Sequence, residues 1–222
     1  MTKRIWEKFW ERFFKENKDK ICFGKVIFDY SKPDKDIVQL VKLFKKEKVK
    51  NILDIGCGEG RNCRYLVQKG FNVTGIDISK LAIKTARKKA KQSNLKIKYI
   101  VGDMKKLPSI FPENYFDAVI STQTIFHGTI KDIRKTIEGI RKVTKNGGLV
   151  FVTLQPVRGN EYRMGKKIEK GTYISYAGED KGEIHHFFTK EEIKKEFKKF
   201  KILKIFLNKN SNYWYCLFRN QK

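Results

Sequence analysis

Three glycines at alternate positions, Gly56, Gly58 and Gly60, are the residues of this 222-residue chain best suited to cradle a ligand. Glycine reaches positive φ without penalty and lets backbone approach a bound group closely. The three follow the apolar run Asn51-Ile-Leu-Asp-Ile55, and Arg61 to Gln68 continues with helical character. The first turn of such a helix presents unpaired N–H groups and the positive end of a dipole. Roughly 20 residues further on, the place from which a carboxylate grips a pair of ribose hydroxyls, the second run Asn72-Val-Thr-Gly-Ile-Asp77 closes on an acid. A third run, Ile97 to Val101, ends in Gly102-Asp-Met104, and a fourth, Tyr115 to Ser121, leads into the loop Thr122 to Gly128. That loop carries His127, a side chain able to take a proton near neutral pH.

These residues need a scaffold that brings strand ends together. Strands alternate with helical segments as far as Asn146-Gly-Gly-Leu-Val-Phe-Val-Thr-Leu154, the fifth strand. Such alternation forces parallel pairing and right-handed crossovers, hence a doubly wound α/β sheet that binds ligands at its carboxyl edge. Before it, Ile5, Trp6, Phe9, Trp10, Phe13 and Phe14 recur at helical spacing. Two roles are compatible with that stripe, packing on the core and covering the ligand pocket, and a basic amphipathic helix on a membrane surface is a third. Ser31 or Asp34 offers an N-cap to a helix whose apolar face is Ile37, Val38, Leu40, Val41 and Phe44. Residues 156–188 are the least regular stretch, with five glycines, and Thr189-Lys-Glu-Glu192 then announces a late helix by a capping box. Ile202 to Leu207 and Tyr213 to Phe218, joined by Asn208-Lys-Asn-Ser-Asn212, read as a closing hairpin. The expected organisation is one domain over 1–222: a helical cap (1–48), a ligand-binding core (49–155), an insertion covering the substrate (156–188), and a closing helix and hairpin (189–222).

Leu53-Asp-Ile-Gly-Cys-Gly-Glu-Gly60, Gly75-Ile-Asp-Ile-Ser79, Gly102-Asp-Met104, Phe116-Asp-Ala-Val119 and Asn146-Gly-Gly148, in this order and spacing over residues 50–155, resemble a class I S-adenosylmethionine-dependent methyltransferase. Gly-Glu-Gly-Arg-Asn62 resembles small-molecule members most, the tellurite-resistance and thiopurine-type enzymes. Dinucleotide dehydrogenases usually show G-x-G-x-x-G, whereas this chain has G-x-G-x-G followed by Arg61. The resemblance implies a mostly parallel seven-stranded sheet with an antiparallel last strand, and S-adenosylmethionine as cofactor. It places Gly56, Cys57 and Gly58 along the methionine portion, Asp77 on the ribose hydroxyls and Ile78 on an adenine face. Asp103 would accept from the adenine amine, with Met104 donating a backbone N–H. Asp54 would support the loop, and Ser121 would lie where the fourth strand delivers the reacting centre.

Composition narrows the acceptor. The net charge of +26 comes from 50 Lys and Arg against 24 Asp and Glu, which suggests an anionic partner. The excess is mostly lysine spread over helix faces, such as Lys42, Lys45, Lys46 and Lys48, or Lys194, Lys195, Lys198 and Lys199, so a solvated surface is the simpler reading. The fourth strand is followed by Ser121-Thr-Gln-Thr-Ile-Phe-His127, with neither the Asn/Asp-Pro-Pro-aromatic motif of amino-methylating nucleic-acid enzymes nor a Pro-Cys nucleophile. A small-molecule acceptor is therefore expected, with RNA modification as the alternative. His185 and His186 are adjacent in an extended segment, so at most one faces a pocket. Arg158, Tyr162 and Tyr173 in the same region are candidates to meet an anionic or aromatic substrate. Cys22, Cys57, Cys63 and Cys216 show no metal-ligand spacing, so no metal site and reduced thiols in a cytoplasmic setting are expected. No apolar stretch approaches the roughly 20 residues of a membrane span.

Overall fold

The computed structural model describes residues 2–16, 20–23, 26–158, 165–176, 181–209 and 211–222; Tyr162 lies outside them, as does the side chain of Cys22. The chain opens with α1 (Thr2–Lys15), a hairpin of β1 (Lys20–Phe23) and β2 (Val26–Asp29), and α2 (Lys35–Lys46). The alternating core follows: β3 (Asn51–Ile55), α3 (Arg61–Gln68), β4 (Asn72–Asp77), α4 (Lys80–Gln92), β5 (Lys98–Val101), α5 (Leu107–Ile110), β6 (Phe116–Ser121), α6 (Ile130–Val143) and β7 (Thr144–Leu154). Then come β8 (Gly165–Glu169), β9 (Thr172–Ser175), β10 (Ile184–His186), α7 (Lys190–Glu196), β11 (Phe200–Asn208) and β12 (Tyr213–Asn220).

Seven strands form one sheet in the order β11-β12-β7-β6-β3-β4-β5. The pairs β3–β4, β3–β6, β4–β5 and β6–β7 are parallel, while β12 runs antiparallel to both β7 and β11. The central strands are apolar on both faces because both are covered. One face is packed by α2, α3 and α4 through Ile37, Phe44, Leu66 and Ile83. The other is packed by α5, α6 and α7 through Leu107, Ile133, Ile140 and Ile193. This is the doubly wound sheet that the alternation implied, closed by the expected hairpin.

Local chemistry sets the helix starts. The carboxylate of Asp34 accepts from the Asp36 N–H at 2.9 Å, and the Thr189 hydroxyl accepts from the Glu192 N–H at 3.1 Å. Two regions differ from expectation. The N-terminal cap is not wholly helical, since the β1–β2 hairpin separates α1 from α2. The irregular 156–188 stretch holds a three-stranded antiparallel sheet, β10-β9-β8. Its strands are only three to five residues long, too short to show a period of two between glycines. Most of the lysines on α2, α4 and α7 are exposed, which is the solvated arrangement expected of them.

Candidate active site

The sheet order dictates where a site can form. The strand order reverses about β3, with β4 and β5 on one side and β6 and β7 on the other, and the crevice at such a switch point is where open α/β sheets bind ligands. A cavity opens there, bordered by the loops that follow β3, β4, β5, β6 and β7, and by α1, β10 and the start of β12.

The glycine loop forms its floor. Gly56 and Gly58 have φ of +70° and +54°, a region side chains rarely adopt. Space forbids side chains as well. A Cβ on Gly56 would run into Thr124, and one on Gly58 would lie 2.7 Å from the Trp10 ring. The N–H groups of Gly56 and Cys57 both reach the Ile76 carbonyl, at 2.8 and 3.1 Å, which ties the loop to β4.

Asp77 ends β4 with only 9% of its surface exposed, and it borders the cavity. Its Oδ2 accepts from the Gly58 N–H and its Oδ1 from the Ser79 N–H, both at 2.9 Å. Beyond the ligand contact expected of it, the carboxylate therefore braces the glycine loop. Burial pushes Asp77 up to about 6 despite those two bonds. Ile78, Asp103 and Met104 also border the cavity. Asp103 caps the turn after it by accepting from the Lys105 N–H at 2.9 Å, so it serves the backbone as well as facing the pocket.

Two residues lie beneath the cavity rather than in its wall. Asp54 is buried, accepts from the Cys63 thiol at 3.2 Å, and is pushed up to about 7 by burial. Ser121, expected at the reacting centre, donates its hydroxyl to the Ile55 carbonyl at 3.0 Å and is fully buried. It fastens β6 to β3, and its successors Thr122, Gln123 and Thr124 reach the cavity instead. Cys57 borders the cavity, but burial pushes its thiol up to about 11, which favours the protonated, unreactive form.

Opposite this floor stand His127 and His185. The two residues form an antiparallel bridge, with their rings 4.6 Å apart and nearly perpendicular. His127 Nε2 lies 3.2 Å from the Gln123 carbonyl, which can only accept and therefore fixes that nitrogen as N–H. Gln123 itself holds φ of +55°, an uncommon conformation stored in a loop that faces the cavity. His185 Nδ1 lies 3.0 Å from the Gln155 side-chain oxygen. His186 points away from the cavity, to the Thr172 hydroxyl at 2.6 Å and the Glu192 carboxylate at 3.1 Å. One histidine of the pair facing inward is within the limit of at most one that strand alternation sets. Arg158 instead bonds the Asn212 side chain at 2.8 Å, and Tyr173 packs on Phe187; neither borders the cavity. Among the described residues no group of three His, Cys, Asp or Glu is placed to hold a metal ion.

Helix α1 closes the cavity from above. Trp6, Phe9 and Trp10 border it, and Trp6 meets the His127 ring edge-on at 4.8 Å. Phe9, Trp10 and Phe13 are also buried against Ala82 of α4, so core packing and covering the pocket coincide. Glu7 anchors the arrangement by accepting from the Ser79 hydroxyl at 2.8 Å and from the N–H groups of Lys80 (2.7 Å) and Leu81 (3.2 Å) at the start of α4. Sequence reasoning missed Glu7, Arg61, Gln155 and Tyr213. Of these, only Arg61 had a signal, its place beside the third glycine. Its guanidinium lies 4.6 Å over the Tyr30 ring and 3.8 Å from Asp34.

Residues 52–148 match a protein family described as "Methyltransferase domain". A SAM-dependent methyltransferase from Methanosarcina mazei shares the fold at a TM-score of 0.65 and 25% identity, covering 77% of this chain and 92% of that one. By the family match, residues 52–148 form a methyltransferase domain. The PH0226 protein from Pyrococcus horikoshii OT3 superposes on this chain at a TM-score of 0.68 and 26% identity, over 84% of this chain and 90% of that one. The ubiquinone biosynthesis O-methyltransferase of Saccharophagus degradans is 30% identical over 133 residues, 56% of this chain and 55% of that protein. The chain thus spans about half the length of that curated relative. The methyltransferase domain carries the glycine loop, Asp77, Asp103 and His127, whereas α1, β10 and β12 lie outside the matched residues. No helix among the described residues is long and apolar enough to cross a membrane.

Proposed function

We propose that the whole chain is a single-domain enzyme that moves a methyl group from S-adenosylmethionine to a small-molecule acceptor. One observation carries this reading: the glycine loop, Asp77 and Asp103 share a cavity with two histidines that approach from the other half of the sheet. The residues fit the cofactor. Gly56, Cys57 and Gly58 offer a backbone cradle that any Cβ at Gly56 or Gly58 would fill. The Asp77 carboxylate borders the cavity as an acceptor for ribose hydroxyls, Ile78 offers an apolar face to adenine, and Asp103 with the Met104 N–H would take its polar edge. Arg61 offers a cation to the methionine carboxylate.

When bound, the cofactor supplies a methyl group already activated on a sulfonium. The protein's share is alignment and exclusion of water. Trp6, Phe9 and Trp10 exclude water from above. His127, held by the Gln123 carbonyl, takes the proton that the acceptor loses. The kinship with tellurite-resistance and thiopurine-type enzymes rests on Gly-Glu-Gly-Arg-Asn62 alone. The curated relative named for ubiquinone biosynthesis supports oxygen as the receiving atom. An RNA acceptor, suggested by the net charge, gains no support from these relatives. Reduced thiols at Cys57, Cys63 and Cys216 suit a cytoplasmic setting.

The test is transfer of labelled methyl from the cofactor to a panel of hydroxyls, thiols and amines, with bulk tRNA as a further arm. Label is expected in at least one small hydroxyl compound. Label in tRNA alone, persisting at physiological salt, overturns the small-molecule reading.

A further inference from the structure

Behind the cavity wall, β10 carries a second histidine, His186, whose bonds tie together α6, β8, β9 and α7. His186 and Thr172 are both fully buried. Glu169 Oε1 of β8 accepts from the Ile130 N–H at the start of α6 at 2.6 Å, and from the Thr172 hydroxyl of β9 at 2.9 Å. That spends the one hydrogen of the hydroxyl, so Thr172 Oγ1 can only accept from His186 Nδ1, 2.6 Å away. Glu192 Oε1 of α7, 3.1 Å from His186 Nε2, also only accepts. Both ring nitrogens are therefore donors. The ring is held in place by Phe188, which meets it edge-on at 4.5 Å, and by Gly171, where even a Cβ would come 3.1 Å from Cε1. Three carboxylates stand about it, Glu169 from β8 and both Glu192 and Glu196 from α7. Arg134 of α6 takes up Glu196 at 2.7 Å, and Lys195 is exposed.

We propose that His186 is a positioning residue for the histidine pair: held as an imidazolium between Glu192 and Thr172, it fixes β10 and thereby sets His185 and His127 against the cavity. This rests on the methyl-transfer reading of that cavity and adds the device that orients its histidines. The backbone carries the effect. On one side β10 pairs with β9, His186 opposite Thr172. On the other, the Phe126 carbonyl accepts from the His186 N–H at 2.9 Å and the Ile184 carbonyl accepts from the Gly128 N–H at 3.0 Å, flanking the His127–His185 bridge. The positive ring is the counterion of Glu192, and of Glu169 through Thr172; a buried charge persists only with such partners. With rising pH the ring loses its Nδ1 hydrogen, and the Thr172 hydroxyl turns to donate to that nitrogen. Glu169 then keeps only the Ile130 N–H, the Glu192 bond loses its charge, and β10 is held less firmly to the body of the fold.

The experiment is NMR of the full chain with histidine labelled by a heavy nitrogen isotope; three histidines leave each ring assignable by substitution. At neutral pH both His186 ring nitrogens should carry hydrogen. Titration to alkaline pH should remove one, and the ring signals of His127 and His185 should shift at the same midpoint. Thr172→Val keeps the shape but removes the acceptor for Nδ1, so that midpoint should move to lower pH, and Thr172→Ser should restore it. In transfer to the compound that takes label in the panel above, Thr172→Val should lower kcat by about tenfold through misplacement of the pair. Thr172→Ser should recover most of that rate, and calorimetric affinity for S-adenosylhomocysteine should be retained in both variants. A bare ring nitrogen on His186 at neutral pH overturns the proposal. So do His127 and His185 signals that ignore the loss of that proton, or a Thr172→Val rate equal to wild type. Failure of the wild type to bind S-adenosylhomocysteine removes the methyl-transfer reading, and the ring signals still decide whether His186 sets the pair.

Discussion

The two halves of the cavity are built by different means. Over β3, β4 and β5, each site residue follows directly on a buried strand, and backbone hydrogen bonds hold it: Gly56 and Cys57 to Ile76, Asp77 to Gly58 and Ser79. Over β6 and β7, the wall is assembled from α1, a short strand of the insertion, and the closing hairpin. Side chains from distant segments meet there, and the contacts are mostly ring on ring. The first half is a rigid strand-end cradle suited to one invariant ligand. The second is a surface that changes whenever any of three separate segments changes. A fold that keeps one donor while varying its acceptor would be divided in this way.

Substitutions can break or sharpen that division. The largest effect is expected at its seam. His127→Ala should lower kcat by a factor on the order of 100 or more while calorimetric affinity for the cofactor holds; an unchanged rate would leave His127 a wall residue. On the cradle side, Asp77→Ala should cost on the order of 10- to 100-fold in cofactor affinity, the value of a charged hydrogen bond to a buried carboxylate. Equal affinity in the two proteins would remove Asp77 from the site. Gly58→Ala places a methyl group 2.7 Å from the Trp10 ring at a φ of +54°, and about a tenfold loss of cofactor affinity is expected. Combining it with Trp10→Ala should recover part of that loss if the clash is its source, a non-additivity read from a double-mutant cycle.

The pH dependence follows from Asp77, which burial raises to about 6. The ribose hydroxyls are donors to the charged carboxylate, so a proton on Asp77 competes with the cofactor. Affinity should be flat above about pH 7, fall as pH drops through 6, and approach a tenfold loss per unit below it. Asp77→Asn should flatten that limb, and a limb that persists in the variant would assign it to another group. The smallest effect is expected at Glu7, which joins the aromatic cover to the start of α4. Glu7→Ala should speed cofactor release a few-fold, as loss of a helix-capping group would, in stopped-flow displacement. An unchanged release rate would show that Trp10 and its neighbours hold α1 without it.

Legibility in the sequence followed the same division. Strands β3 to β7 were readable because each is an apolar run bordered by a turn signal, such as Gly56 after β3, Gly102 after β5 or Gly147 ahead of the apolar part of β7. The cradle residues were readable because each directly follows such a run. Ser121 was misplaced because its place as the last residue of β6 does not say whether its side chain opens to the cavity; its hydroxyl turned under the sheet to Ile55. Asp77 was expected to face a ligand but not to brace the glycine loop, since its bonds to Gly58 and Ser79 join segments whose approach depends on the tight turn between them. The β8–β10 sheet escaped because its strands are short and pair across glycine turns.

By itself, the sequence determined the alternating sheet, the glycine cradle, the acid at the end of β4 and the rule that His185 and His186 face opposite ways. These are local properties: hydrophobic period, glycine at positive φ, and alternation along a strand. Only the tertiary structure decided that His185 is the one turned inward, that Glu7 ties α1 across the start of α4, and that Trp6, Phe126 and Tyr213 border one wall. Such meetings are between residues far apart in the chain. They are selected by the packing of whole elements, which leaves no mark on the short stretch around each one.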